Sequence, residues 1–524
     1  MPGKHTRAAP TATTPASKPA PKPSPDDAPA AGEPTRSTPP GVDQAVAHTV
    51  HQMFTRDVVY LVISASQVLL ATLVTPLITR TVPPAEYGEV VLAVTTMQLL
   101  GPIVSLGLPF AIQRCFADDG PDRARTLLAS STVAAVAAAV LTASTAGLWG
   151  PVLGATTPVD AALAGVWASM FALTWTCLAM MRSQERLMLT AVVGGLQSFG
   201  AQAAGITLVL LVSRSATSYL AGATAAQAVA ALIGLVELRP AWRGLRDRHY
   251  QTAALWFGLF MVPQQLSTFV LAAGDRFVVR HDLGSVATGR YSVAYNIGSL
   301  AVVLLIFVNQ AWLPRIYGIT DQSAQAHLLG STRDAMSLLL TPVVVGLAVT
   351  APLVLRLWAP SSFHPDELVP IVAMVATSTF AYGHFLANLR ALLSLGRTAR
   401  VAVLTTIAAV LNFVLNLALV PVFGIVGSAV ATVAAYFVLA VVTTPARAGL
   451  RLPRIGRRAL LAMVAATVLT LGFGVLPAGQ AWTVVRAAVA VACVLLFGVL
   501  ARGAARGRAV TAEAVIRNPE TTLP

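Results

Sequence analysis

Runs of about 20 predominantly apolar residues recur from Val58 to Leu500, each long enough to cross a hydrocarbon core of about 30 Å as a helix. The strands of a membrane barrel would instead alternate apolar and polar residues. Composition agrees with a helical membrane protein: 56% of the 524 residues are hydrophobic and 11% charged, against roughly 25% charged in a soluble domain. The formal charge of +14 is spread through short connections rather than gathered on one soluble face, which argues against a nucleic-acid partner. Cys115, Cys177 and Cys493 lie in or at the end of apolar runs without metal-ligand spacing and read as packing residues. Residues 1–55 are rich in Pro, Ala, Thr and Ser, lack the apolar stretch of a cleavable signal, and are expected to form a disordered tail.

Fourteen spans are expected, near 58–79, 88–112, 127–149, 161–181, 188–212, 216–237, 252–273, 290–312, 335–357, 368–389, 401–420, 425–445, 459–477 and 483–501. Orientation follows the Lys and Arg kept in cytoplasmic connections. With the tail placed inside, 29 of the 36 basic residues fall on its side, and the exceptions are Arg80, Arg214, Arg276, Arg280, Arg290, Arg356 and Arg486. A missed span early in the chain would spoil this asymmetry. Both termini are therefore expected in the cytoplasm.

Sliding the chain by 201 residues superposes PAEYGEVVLAV (from Pro84) on SVATGRYSVAY (from Ser285), with Gly88 on Gly289 and Arg114 on Arg315. YLAGATAAQ in span six is echoed by GSAVATVAAY in span twelve. Spans one and seven start on the same face, so the repeats are parallel, and such repeats place substrate sites at their interface near the midplane. The expected architecture is all-α and polytopic: a six-helix bundle over 56–238, a basic linker over 239–250, a second six-helix bundle over 251–446, two extra helices over 447–502 and a tail over 503–524.

LITRTVPPAEYGEVVLAV, GLPFAIQR, GDRFVVRHDLGSVATGRYSVAYN and VFGIVGSAVAT, in that order, resemble the polysaccharide-repeat-unit (Wzx-like) flippases of the multidrug/oligosaccharidyl-lipid/polysaccharide exporter superfamily. The resemblance covers about residues 55 to 500. It implies two bundles in alternating access, moving an undecaprenyl-diphosphate-linked oligosaccharide across a bacterial cytoplasmic membrane. Membrane lipids, and polysaccharide polymerase or glycosyltransferase machinery, are the other partners in view.

The candidate ligand groups are a set of basic residues around an amide stripe. Arg80, Arg114, Arg276 and Arg315 follow spans one, two, seven and eight; Arg280 and Arg290 stand on the Arg-poor face with Asp275 beside them. Gln67, Gln98, Gln264, Gln265, Asn296, Asn309 and Gln310 lie on the same four spans. Arg grips diphosphate oxygens bidentately, and amides exchange hydrogen bonds with sugar hydroxyls. The structural alternatives stay open: snorkelling interfacial anchors for the arginines, a local charge pair for Asp275 and Arg276, and interhelical bonding for the amides, Asn412 and Asn416 included.

None of the 22 acidic residues lies in the interior of an expected span, away from its ends, which weakens a cation-coupled drug antiporter needing an interior carboxylate. No GxxxxGK[ST] loop is present, so direct ATP drive is not expected, nor any other cofactor or metal. The first outer connection, TRTVPPAE, is too short for the acidic loop of a lipid-linked glycosyltransferase, so a transporter rather than an enzyme is expected. A non-transporting envelope scaffold is the remaining alternative.

Overall fold

The structure, a computed structural model, describes residues 75–310, 322–446, 452–477 and 480–517. The expected tail 1–55, most of the first span with Gln67, and Arg315 lie outside the described residues, as does the side chain of Gln310. Among the described residues the chain is helical and contains no strand.

The first half comprises α1 (Pro84–Ser105), α2 (Leu108–Asp119), α3 (Pro121–Ser144), α4 (Pro158–Ser183), α5 (Leu187–Leu211) and α6 (Ala216–Leu238). Proline opens α1, α3 and α4, where a missing N–H costs nothing and its φ suits the first helical position. Thr157 and Ser215 cap α4 and α6, accepting the N–H of Asp160 at 3.1 Å and of Ser218 at 3.3 Å. Leu106 and Gly107, both at positive φ, separate α2 from α1.

The second half comprises α7 (Arg248–Ala273), α8 (Asp275–Gly298), α9 (Leu300–Gln310), α10 (Gln322–Trp358), α11 (Val369–Ser394) and α12 (Thr398–Ala446). α13 (Arg457–Val475) and α14 (Gln480–Arg517) follow. Eleven helices are long and apolar enough to cross a membrane, or twelve if Asp275–Gly298 and Leu300–Phe307, bent by 42°, form one crossing. α12 is counted once there, yet its 49 residues would reach about 74 Å if straight, and Gly424 breaks it at φ 60° and ψ −145°. The expected fourteen are thus not all counted among the described residues.

One hydrophobic cluster lies within the first half around Leu108, Ile112, Leu127 and Met180. Another lies within the second around Leu305, Leu340, Phe385 and Leu439. The largest joins the halves, packing Tyr87, Val90 and Trp167 with Val279, Tyr291, Ile297 and Val372.

The 201-residue repeat has a physical counterpart in this joint. A Cβ on Gly88 would stand 1.9 Å from the Ser285 carbonyl oxygen, and one on Gly289 would stand 2.6 Å from the Pro84 oxygen. Pro84 and Ser285 are themselves 201 residues apart, so α1 and α8 cross in a reciprocal backbone contact. Only glycine permits that approach at either position.

At the linker, Arg125 donates to the Arg239 carbonyl at 2.8 Å and Arg123 pairs with Asp247 at 2.8 Å. The Arg123 hydrogen bond, with the Tyr250 N–H it also accepts, holds the Asp247 carboxyl below its usual value. Cys115 and Cys177 are buried, and all three cysteines are free.

One expectation is corrected. The connection 274–289 is not a loop: Gly274 has helical angles, and the helix continues from α7 to Gly284, where φ is 83°. Asp275 and Arg276 consequently sit on a buried helix, 3% and 8% exposed. Asp160, in the first turn of α4, is buried as well, bonded by Thr157 at 2.7 Å and Thr217 at 2.6 Å.

Candidate functional site: a cavity between the halves

A cavity of about 430 Å³ lies between α1, α4, α5 and α6 of the first half and α7 and α8 of the second. Helical spacing explains its walls. On α1, Tyr87, Val91, Val94 and Gln98 recur at steps of four, three and four, placing them on one face over about 16 Å. On α4, Trp167 and Phe171 stand one turn apart; on α6, Tyr219 and Gln227 stand eight residues apart on one face; on α8, Ser292 and Asn296 are again one turn apart. α5 contributes Gln197, Ser198 and Gln202, the first two from a π-helical turn, Leu196–Gly200. Such turns break the regular ladder and recur at functional sites.

Among the described residues, Arg276 is the only charged side chain in this lining. Its Nη1 donates to Asp275 Oδ1 at 3.1 Å and to the Ala272 carbonyl at 3.2 Å, and its guanidinium lies 4.6 Å from the Tyr295 ring centroid. The other Asp275 oxygen accepts the Tyr291 hydroxyl. A buried cation is tolerated because a carboxylate, a carbonyl and an aromatic face surround it. The described lining is therefore close to electroneutral, polar through amides and hydroxyls, and apolar through aromatic rings.

The structure places Gln98, Asn296 and Arg276 in the cavity lining, with Asp275 behind Arg276. The other described candidates lie elsewhere. Arg280 pairs with Glu89 of the first half at 2.9 Å and donates to Thr156 at 3.2 Å. Arg290 pairs with Glu367 and donates to the Phe363 carbonyl at 3.0 Å. Arg80 is exposed and donates to the Leu357 carbonyl at 3.0 Å, while Arg114 is exposed beside Asp118 at 3.3 Å and lies over the Phe257 ring at 4.8 Å. Gln264 accepts from Thr405 at 3.1 Å, an interhelical bond; Gln265 is half-buried and Asn309 buried outside the lining. Asn416 donates to the Asn412 carbonyl at 2.9 Å within α12.

Among the described residues, one of the expected arginines, Arg276, lines the cavity. Arg280 and Arg290 take carboxylate partners in Glu89 and Glu367, Arg114 takes Asp118, and Arg80 takes a carbonyl. The reading from sequence did not include Tyr87, Trp167, Gln197, Gln202, Tyr219 or Gln227. A signal was present in GGLQSFGAQ, where two glutamines five residues apart are flanked by glycines inside an apolar run.

A helical membrane architecture with a polar cavity at the joint of its halves is a fold shared with solved membrane transporters. Similar folds are found in the lipid II flippase MurJ in an inward closed conformation (TM-score 0.64, 12% identity, 83% of this chain and 97% of that one). They also include an inward-facing MATE multidrug-resistance transporter (0.54, 14%, 77% and 95%). A Vibrio cholerae MATE transporter gives 0.52, 15%, 82% and 99%. No curated protein matches the sequence. The chain belongs to the polysaccharide biosynthesis protein family, whose model matches residues 54–319.

Proposed function

We propose that this transporter moves a lipid-diphosphate-linked oligosaccharide from the cytoplasmic to the outer leaflet of a bacterial cytoplasmic membrane. Family membership and a flippase-like fold support the class of cargo. The observation that carries the reading is the cavity at the joint, where one buried guanidinium stands among amides and aromatic rings. Arg276 meets the anionic phosphate and the amide wall meets the sugar. The Gly88–Gly289 crossing closes the cavity at the end that faces outside, and Arg280–Glu89 ties the halves there. Two phosphate charges moving out of a negative interior would gain on the order of 4 to 5 kcal/mol per 100 mV if they cross the whole field.

One observation favours a second reading, cation-coupled antiport: Asp275 is a buried carboxylate. Arg276 and Tyr291 engage both its oxygens, which leaves it poorly placed to exchange a proton or sodium ion.

Deleting the gene and analysing membrane lipids by mass spectrometry tests the function. An undecaprenyl-linked oligosaccharide should accumulate on the inner leaflet, wild-type protein should clear it, and Arg276→Ala, expressed to the same level, should clear it at least tenfold more slowly. Unchanged lipid pools after deletion would remove the proposal.

A further inference from the structure

The connection from α6 to α7, RPAWRGLRDRHY (Arg239 to Tyr250), carries four exposed arginines, Arg239, Arg243, Arg246 and Arg248, that make no salt bridge among the described residues. The acids nearby are already engaged by other arginines: Asp247 by Arg123 at 2.8 Å, Asp122 by Arg125 at 3.5 Å and Glu237 by Arg186 at 3.0 Å. Four positive charges in one short connection are thus left without a local counter-ion.

The backbone that bears them is fixed to the first half. The Ala241 N–H donates to the Arg125 carbonyl at 3.0 Å, and a Cβ on Gly244 would stand 2.1 Å from Thr126 Cγ2. Gln251 at the start of α7 donates to the Gly244 carbonyl at 3.4 Å. Trp242–Arg246 forms a 3₁₀ turn, whose three residues per turn bring Arg243 and Arg246 over one another on one edge, with Trp242 and Leu245 on the next. Trp242 is 53% exposed. Depth follows from the helices on either side. α6 has 23 residues, about 35 Å, which spans a hydrocarbon core of about 30 Å and leaves the connection after Leu238 at head-group level. Leu232 and Val236 of α6, and Trp256 and Phe260 of α7, expose apolar side chains on the way to it.

Uncompensated guanidinium groups beside an exposed indole at this depth meet two chemistries at once: phosphate oxygens, which arginine grips bidentately, and the interfacial layer, where tryptophan rings settle. Basic clusters next to a membrane-spanning helix attract anionic lipids. Head-group depth makes the lipid phosphodiester, rather than a soluble acidic protein, the anion at hand. We propose that Arg239, Trp242, Arg243, Arg246 and Arg248 form a binding site for an anionic phospholipid of the surrounding membrane, its phosphodiester on the arginines and Trp242 beside its glycerol backbone. Because the connection is bonded to α3, the bound lipid anchors the first half where the chain passes into α7. The site does not depend on which cargo is carried.

Native mass spectrometry of the purified full chain in detergent, titrated with phosphatidylglycerol or with phosphatidylcholine of the same acyl chains, tests it. Wild type should bind phosphatidylglycerol about tenfold or more tightly than phosphatidylcholine, and the double variant Arg243→Ala/Arg246→Ala should lose about tenfold or more of that preference, at about fivefold per arginine. Arg243→Lys/Arg246→Lys, which keeps the charge, should retain most of it. Arg214→Ala is the control: this arginine is exposed at the opposite end of α6, and its removal should leave the preference unchanged. Equal wild-type affinity for the two lipids, or binding of neither, overturns the proposal and leaves the patch to an acidic protein. A preference that survives the double alanine variant overturns the residue assignment. Loss of the preference in Arg214→Ala to the same extent overturns it too, because net charge alone would then account for binding.

Discussion

Replacing Gly88 by leucine is expected to slow transport at least tenfold while the protein still inserts and folds. A Cβ at this position would lie 1.9 Å from the Ser285 carbonyl oxygen and 2.7 Å from its carbon, both backbone atoms that cannot rotate away. α1 and α8 must part by about 1 Å or more to restore ordinary contact. Overpacking of this kind costs about 1–3 kcal/mol. It falls only on the arrangement in which the two helices touch, so it shifts population away from that arrangement instead of unfolding the chain. A cysteine introduced at Gln98, in the cavity wall, reports the shift in a background lacking Cys115, Cys177 and Cys493. Its labelling by an impermeant maleimide added outside should rise in the Gly88→Leu protein. Gly147→Leu is the control, because a Cβ there meets nothing within 4 Å. Equal labelling and equal flux in the Gly88 variant would show that the crossing does not close the cavity.

The second large effect is on stability. Arg486 of α14 is 6% exposed and makes no salt bridge among the described residues. It donates instead to the Phe473 carbonyl at 2.8 Å, to Leu476 at 2.9 Å, and to Ala348 and Val349 at 3.3 Å. Three of these four acceptors have a reason to need a donor. Phe473 and Leu476 stand at the C-terminus of α13, where carbonyls have no partner in their own helix. Ala348 lies four residues before Pro352, which has no N–H to give it. One guanidinium thus ties α10, α13 and α14 together. Burying it without a counter-ion is costly, but removing it leaves several buried acceptors unpaired at about 1–3 kcal/mol each. The second effect is the larger, so Arg486→Met should lower stability by about 2–4 kcal/mol. Thermal unfolding in detergent measures it as a drop of several degrees in Tm. A Tm that holds or rises would mean that the desolvation cost dominates.

What was legible in the sequence follows the range over which its signals act. Apolar runs and the placement of Arg and Lys depend on each helix's own exchange with a bilayer, and they indicated a helical membrane protein from residue types alone. The repeat was legible because Gly88 and Gly289 are held by the same steric demand at equivalent positions, and the structure brings those glycines into reciprocal contact. Partner choice was not legible. Arg280 finds Glu89, 191 residues away, and nothing near either residue announces the pairing. The helix through Gly274 was missed because a charged DR pair beside glycine reads locally as a connection, whereas burial against α1 and the Asp275–Arg276–Tyr291 network stabilises it as helix. The cavity's first-half wall was missed for a related reason. A single glutamine in an apolar span is ordinarily an interhelical bond, as Gln264 is, and only the assembled helices bring Gln197 and Gln227 to one cavity wall.

Transbilayer movement measured in proteoliposomes tests the central claim most directly. Purified full-length chain is reconstituted with undecaprenyl-diphosphate oligosaccharide in both leaflets, and the fraction that stays inaccessible to an added lectin is followed in time. Protein should drain the inaccessible pool, and Ser292→Trp, which fills the cavity between α1 and α8, should leave it as slow as protein-free vesicles. Flux that proceeds unchanged with the cavity filled, or no flux with the wild-type chain, would contradict passage of a lipid-linked saccharide through this joint.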